Sequence, residues 1–156
     1  MCVVTAEVDG ILLGSTVSSF NSVSLAPPLV LFSLARSAQT LPLWLKATHF
    51  GVTVLAEGQT DLSNRFARGG ADKWAGLAPL RGKSRVPLLR GGLVTFECES
   101  YATYEGGDHE IMLGKVLEFS RTVTTPLLFH GGRYGRLHSD QKIETPPDID
   151  VWLHGW

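Results

Sequence analysis

The chain is poor in charge and has almost none in excess. Of its 156 residues 19% are Asp, Glu, Lys or Arg, and the formal net charge is −1. Without a basic field, general nucleic-acid binding is not indicated. Only two cysteines occur, Cys2 and Cys98, with neither CxxC nor metal-ligand spacing. Both stand in strand-like patterns and read as small buried hydrophobes. The sequence shows no signal-peptide pattern at its start and no apolar run of transmembrane length. It therefore reads as soluble and cytoplasmic, with no membrane partner.

Nucleotide-site signatures are missing as well. There is no G-x-G-x-x-G and no P-loop, so a Rossmann-type site is not indicated. The absence of G-x-S-x-G argues against an α/β-hydrolase. His109-Glu110 lacks the second histidine of a zinc-protease helix, and His49, His130, His138 and His154 have no ligand spacing, so no metal is expected.

What is present is ordinary globular composition, 44% hydrophobic, enough for one domain with a sizeable core. Residues 1–138 read as that domain and 139–156 as a C-terminal tail. The tail contains Pro146-Pro147 and ends in Trp152 and Trp156, an apolar anchor for its own barrel or a partner subunit. Cys2 to Glu7 reads as a strand and Asp9-Gly10 as a hairpin turn, with Ile11 to Phe20 returning antiparallel. Leu29–Leu34 and Phe50–Ala56 read as further strands, with a short helix after Leu41 that holds Pro42 in its first turn. Thr60–Ala67 reads as a helix capped by Thr60, and Asp72–Gly76 as one more helical turn. Leu77–Arg90, with basic residues Arg81, Lys83, Arg85 and Arg90, is either an exposed connection or a loop folding over a ligand. Leu93–Tyr104 and Ile111–Phe119 form a strand pair around the Glu105-Gly106-Gly107-Asp108 turn, with Gly114 a bulge or close-approach site. Many antiparallel strands and few helices favour a closed barrel with helices packed outside.

The stretch Gly14–Thr40 organises the rest. Small hydroxyl residues (Ser15, Thr16, Ser18, Ser19) precede the Pro27-Pro28 corner, an apolar run follows, and a second polar cluster closes it at Arg36, Ser37 and Thr40. Small side chains let a planar ligand approach backbone N–H and C=O groups. Loop N–H groups near a helix start, with an arginine, make a phosphate seat. A turn, an N-cap and a solvated Arg36 explain the same residues without any ligand.

The residues Thr16-Val17-Ser18-Ser19-Phe20, Ser24–Leu31, Arg36-Ser37 with Thr40, Phe50-Gly51-Val52, Arg65-Phe66-Ala67, Gly107-Asp108-His109 and Pro126–His130 leading to Arg133-Tyr134 resemble, in order and spacing, the flavin reductase-like domain family. The resemblance covers about residues 2–135. It implies a mainly β fold with flanking helices, the FMN-binding split barrel, a Greek-key antiparallel barrel built as a homodimer. It implies hydride transfer from NADH or NADPH, nicotinamide C4 to flavin N5, with FMN or FAD as acceptor. Reduced flavin would pass to a flavin-dependent monooxygenase.

Residue by residue, the family pattern places Ser15, Thr16, Val17, Ser18 and Ser19 against the flavin ring and ribityl chain. Arg36, Ser37 and Thr40 fall at the flavin phosphate, with Ser33, Leu34, Ala35 and Phe66 in the same cofactor site. Thr53 stands where the family usually has asparagine. Arg133 and Tyr134 border the flavin or nicotinamide. His109 matches the histidine near the nicotinamide, and Asp108 orients its ring. Relatives usually carry a helical segment before the first strand; here the chain starts almost inside it, which predicts one uncovered sheet face. A flavin-carrying module without fast NAD(P)H oxidation is the alternative of the binding class, and a small flavin-free β-barrel interaction domain a third.

Overall fold

A computed structural model describes residues 1–70 and 72–138; the expected tail at 139–156 lies outside the described residues. Asp9 and Gly10, at φ 52° and 78°, join β1 (Cys2–Val8) to β2 (Ile11–Val17), pairing Val8 with Ile11 and Cys2 with Val17. A turn with both central residues at positive φ matches the right-handed strand twist, as the Asp-Gly pair announced. Strand β2 stops at Val17 rather than Phe20. A separate strand β3 (Asn21–Leu25) then pairs antiparallel with β4 (Pro28–Ala35). The sequence reading had no β3, because its polar, largely exposed residues lack the alternation that marks a half-buried strand.

Among the described residues, seven strands make one antiparallel sheet in the order β2-β1-β5-β8-β9-β4-β3, with β5 at His49–Val54, β8 at Val94–Gly106 and β9 at His109–Arg121. Register slips between Glu97/Cys98 and between Ser100/Ala102 leave Leu117 and Tyr101 without a partner. Bulges of this kind raise local twist and curl the long hairpin. The chain after β2 meets β4 where the Ser33 N–H donates to Ser19 Oγ at 2.9 Å. Gly114 is the expected close-approach site, since a Cβ there would lie 2.2 Å from Phe50 Cζ.

One core fills the barrel: Val4, Phe32, Phe50, Val52 and Cys98 are nearly or wholly buried, with Trp44 of α1 (Leu41–Trp44) edge-on to Phe32 at 5.6 Å. A second cluster lies on the opposite face of β1, where Val3, Leu55, Phe66, Trp74, Leu89 and Leu127 pack together. Strand β1 is thus covered on both faces, which explains the unbroken burial from Cys2 to Ala6, and the expected uncovered face does not lie at β1. Helix α2 (Thr60–Ala67) has Gln59, not Thr60, at its N-cap, and no side chain caps it. Gln59 Oε1 instead accepts from the Ala56 N–H at 2.9 Å. Residues 72–77 form successive turns rather than a helix, closed by Ala75 N–H to Asp72 O and Leu77 N–H to Trp74 O. Two short strands, β6 (Leu80–Arg81) and β7 (Pro87–Leu88), fold the basic loop into a small hairpin. Strands β10 (Leu128–His130) and β11 (Arg133–Gly135) make the last hairpin.

Candidate active site

Strand β4 carries the larger group of site residues. Its Ser33 is tied to the exposed Ser19, and Leu34 turns its side chain into the core. Ala35 pairs with His109 at the start of β9. Arg36 then donates its backbone N–H to Asp108 O at 2.8 Å. The two-residue turn Gly107-Asp108, with Gly107 at φ 73°, projects His109 beside the end of β4. Ser18, Ser37 and Thr40 are exposed near these elements. Thr40 precedes α1 without a side-chain cap bond, so its hydroxyl is not spent on the helix.

His109 Nδ1 lies 2.8 Å from Asp108 Oδ1. The bond from His109 is the main cause that holds the Asp108 carboxyl below its ordinary pKa, and the charge attraction adds to it. With Nδ1 engaged, Nε2 is the ring nitrogen left for other partners. Arg36 is exposed, as the simplest reading has it, but it is also ion-paired. Its Nε and Nη2 reach Glu110 Oε1 at 2.8 and 2.6 Å, and Nη2 lies 2.9 Å from Glu105 Oε1.

A second group gathers on β2 and α2. Thr16 Oγ1 donates to Ser63 O at 2.6 Å, and the Tyr134 hydroxyl lies 3.0 Å from Ser63 Oγ and 2.9 Å from Asn64 Oδ1. Phe66 is fully buried here, edge-on to Trp74. Ser15 pairs with Val4, and Val17 is buried. Arg133 is exposed on β11. Thr53 stands apart: it is fully buried, and its hydroxyl accepts from the Leu89 N–H at 3.4 Å.

Sequence reasoning missed Glu105, Glu110, Ser63 and Asn64. The glutamates had a signal, since Glu-Gly-Gly-Asp-His-Glu folded as a tight hairpin sets two like charges face to face. Ser63 and Asn64 had none, because their partner Tyr134 is 71 and 70 positions away along the chain. A cleft of about 270 Å³, lined by Glu7, Asp9, His49 and Arg85 among others, lies at the Asp9-Gly10 end of the β1–β2 hairpin. Val17–Ser19 leave from the other end of β2, so this cleft is separate from the site residues.

An antiparallel, mainly β barrel, 52% strand and 9% helix among the described residues, with hydroxyls, backbone amides and a carboxylate-bound imidazole at one edge, is the architecture of the split-barrel oxidoreductases. The family model "Flavin reductase like domain" matches residues 1–138, and the chain belongs to that family. It is 43% identical over 134 residues to the FMN reductase (NADH) SmoA of Agrobacterium fabrum, covering 86% of this chain and 76% of the relative. It is 39% identical to the reductase component of the flavin-dependent trigonelline monooxygenase of Acinetobacter baylyi, of which the chain spans only 43%. Among solved structures, the Streptomyces globisporus NADH:FAD oxidoreductase SgcE6 in complex with NAD and FAD fragments superposes with a TM-score of 0.83, at 34% identity over 90% of this chain and 87% of that one. The chain is an oxidoreductase of the flavin reductase type.

Proposed function

We propose that the chain oxidises NADH or NADPH and reduces FMN or FAD at the edge formed by Ser18, Ser19, Ser33 and the Asp108–His109 hairpin. One observation carries this reading: the pairing of Ala35 with His109, which sets the histidine beside the strand that carries the hydroxyl cluster. The donor set suits a phosphorylated, ring-bearing ligand. Ser18, Ser37 and Thr40 are exposed hydroxyls beside turn amides, and Ser19 with Ser33 offers both a donor and an acceptor. When bound, flavin supplies the acceptor for a hydride from the nicotinamide. The protein's part is to hold two flat rings in contact and to exclude water, with no strong acid or base needed. Asp108 fixes the ring of His109 so that it can border the nicotinamide in one orientation.

Reduced flavin then passes to a monooxygenase partner, in keeping with relatives named as reductase components. The working unit in this reading is a homodimer, supported by the exposed apolar side chains Val23, Leu25, Leu117 and Phe119 along the sheet. The free, buried thiols of Cys2 and Cys98 accord with a reducing cytoplasm.

The test is NAD(P)H oxidation by the purified protein with FMN, FAD or no flavin added. Flavin-dependent turnover supports the reading, and flavin binding without turnover points to a carrier module. H109A should lower turnover by about 10²-fold while leaving flavin affinity within about threefold, as loss of positioning does. Full activity in H109A removes the role given to His109.

A further inference from the structure

We infer that Arg36 is a positioning residue for His109: it neutralises two facing glutamates and locks the hairpin tip that carries the imidazole. Glu105 and Glu110 are cross-strand partners in the β8–β9 register. Like charges set opposite each other destabilise a strand pair. The guanidinium of Arg36 sits against both, with two of its nitrogens converging on one oxygen of Glu110. The same residue's backbone N–H holds the turn at Asp108 O, and Ala35 before it pairs with His109. Asp108 and His109 therefore lie on a tip fixed by backbone bonds and by a charge clamp that spans both strands. Gly106 and Gly107 precede them and do little to stiffen the tip.

Burial ranks the two contacts. The Glu110 side chain is 13% exposed against 83% for Glu105, so the Glu110 contact is shielded and the Glu105 contact is screened by solvent. Two of the three guanidinium nitrogens of Arg36 are already engaged by carboxylates, and a phosphate at the third would face both negative charges. The geometry thus assigns the side chain to the hairpin and leaves hydroxyls and turn amides to hold the phosphate. The inference rests on the proposed role of His109, whereas the clamp can be measured without it.

The experiment compares R36Q, E110Q, R36Q/E110Q and the exchanged pair R36E/E110R. Amide hydrogen exchange over residues 105–110 is followed in the flavin-free protein, and turnover and FMN affinity in the complete reaction. The expected result is exchange of the hairpin amides faster by about tenfold in either single variant, with turnover lower by a similar factor and FMN affinity within about twofold. The double variant should be no worse than either single one, and the exchanged pair should recover most of the loss. Unchanged hairpin exchange in R36Q overturns the inference. So does a tenfold loss of FMN affinity in R36Q with turnover at saturation intact and tighter FMN binding in E110Q, which would make Arg36 a phosphate ligand. If exchange rises as expected but H109A keeps full activity, the clamp stands and the role of His109 falls.

Discussion

Glu97 shows how one buried charge is kept. Burial by itself raises its pKa, but the Ser84 hydroxyl, the Ser84 N–H and the Lys83 N–H all donate to its carboxylate, and with the Lys83 charge they hold it below the ordinary range. A carboxyl depressed on folding contributes stability above its unfolded pKa and loses it as pH falls through the lower folded value. The difference in urea stability between wild type and E97Q should therefore be about 2 kcal/mol at neutral pH and shrink below about pH 4. Burial also pushes the thiols of Cys2 and Cys98 up, to about 11 and about 12. Neither should react with iodoacetamide at pH 8 in the folded protein, and both should label once it is unfolded, as mass spectrometry would count. Gly114 is decisive through packing. The Phe50 ring that a Cβ there would strike is itself packed edge-on against Phe32 at 5.0 Å and has little room to withdraw. G114A should cost about 1–3 kcal/mol by overpacking, read as a lower urea midpoint at unchanged m.

At the scale of elements, two cations of the basic loop, Arg81 and Lys83, are engaged in ion pairs within the fold. Arg81 pairs with Glu7, Lys83 with Glu118 at 2.8 Å, and Glu97 receives the turn between β6 and β7. Gly82 is required where the turn passes over that carboxylate, since a Cβ would fall 2.0 Å from Glu97 Oε1. Limited trypsin digestion should cut after Arg81, Lys83 or Arg85 faster in E97Q and G82A than in wild type, and equal rates would dissociate the loop from Glu97. The sequence could mark this segment as a long basic connection, but not which acids would neutralise it. The β1–β2 hairpin was legible because Asp9-Gly10 is a local signal with one geometric solution. The β8–β9 pair was legible from alternation and the Gly-Gly turn, although its two bulges were not. Strand β3 left no pattern, since an exposed polar edge strand looks like a loop until β4 gives it a partner.

For the whole molecule, the exposed apolar residues of the sheet make oligomeric state the property to measure. Wild type should elute at twice the chain mass on size exclusion with light scattering. F119D should shift the population toward monomer while its circular dichroism stays strand-rich. A wild-type monomer would remove the dimer from the functional reading. The sequence by itself determined the mainly β class, the first hairpin, the polar clusters around β4 and the Gly-Asp-His turn, because period-two alternation, turn residues and short motifs are local. The tertiary structure alone decided that Arg36 meets Glu105 and Glu110, that Tyr134 meets Ser63, and that Thr53 is sealed against Leu89. Those pairings follow from strand register and from curling of the sheet, which join residues dozens of positions apart and leave no period in the chain to read.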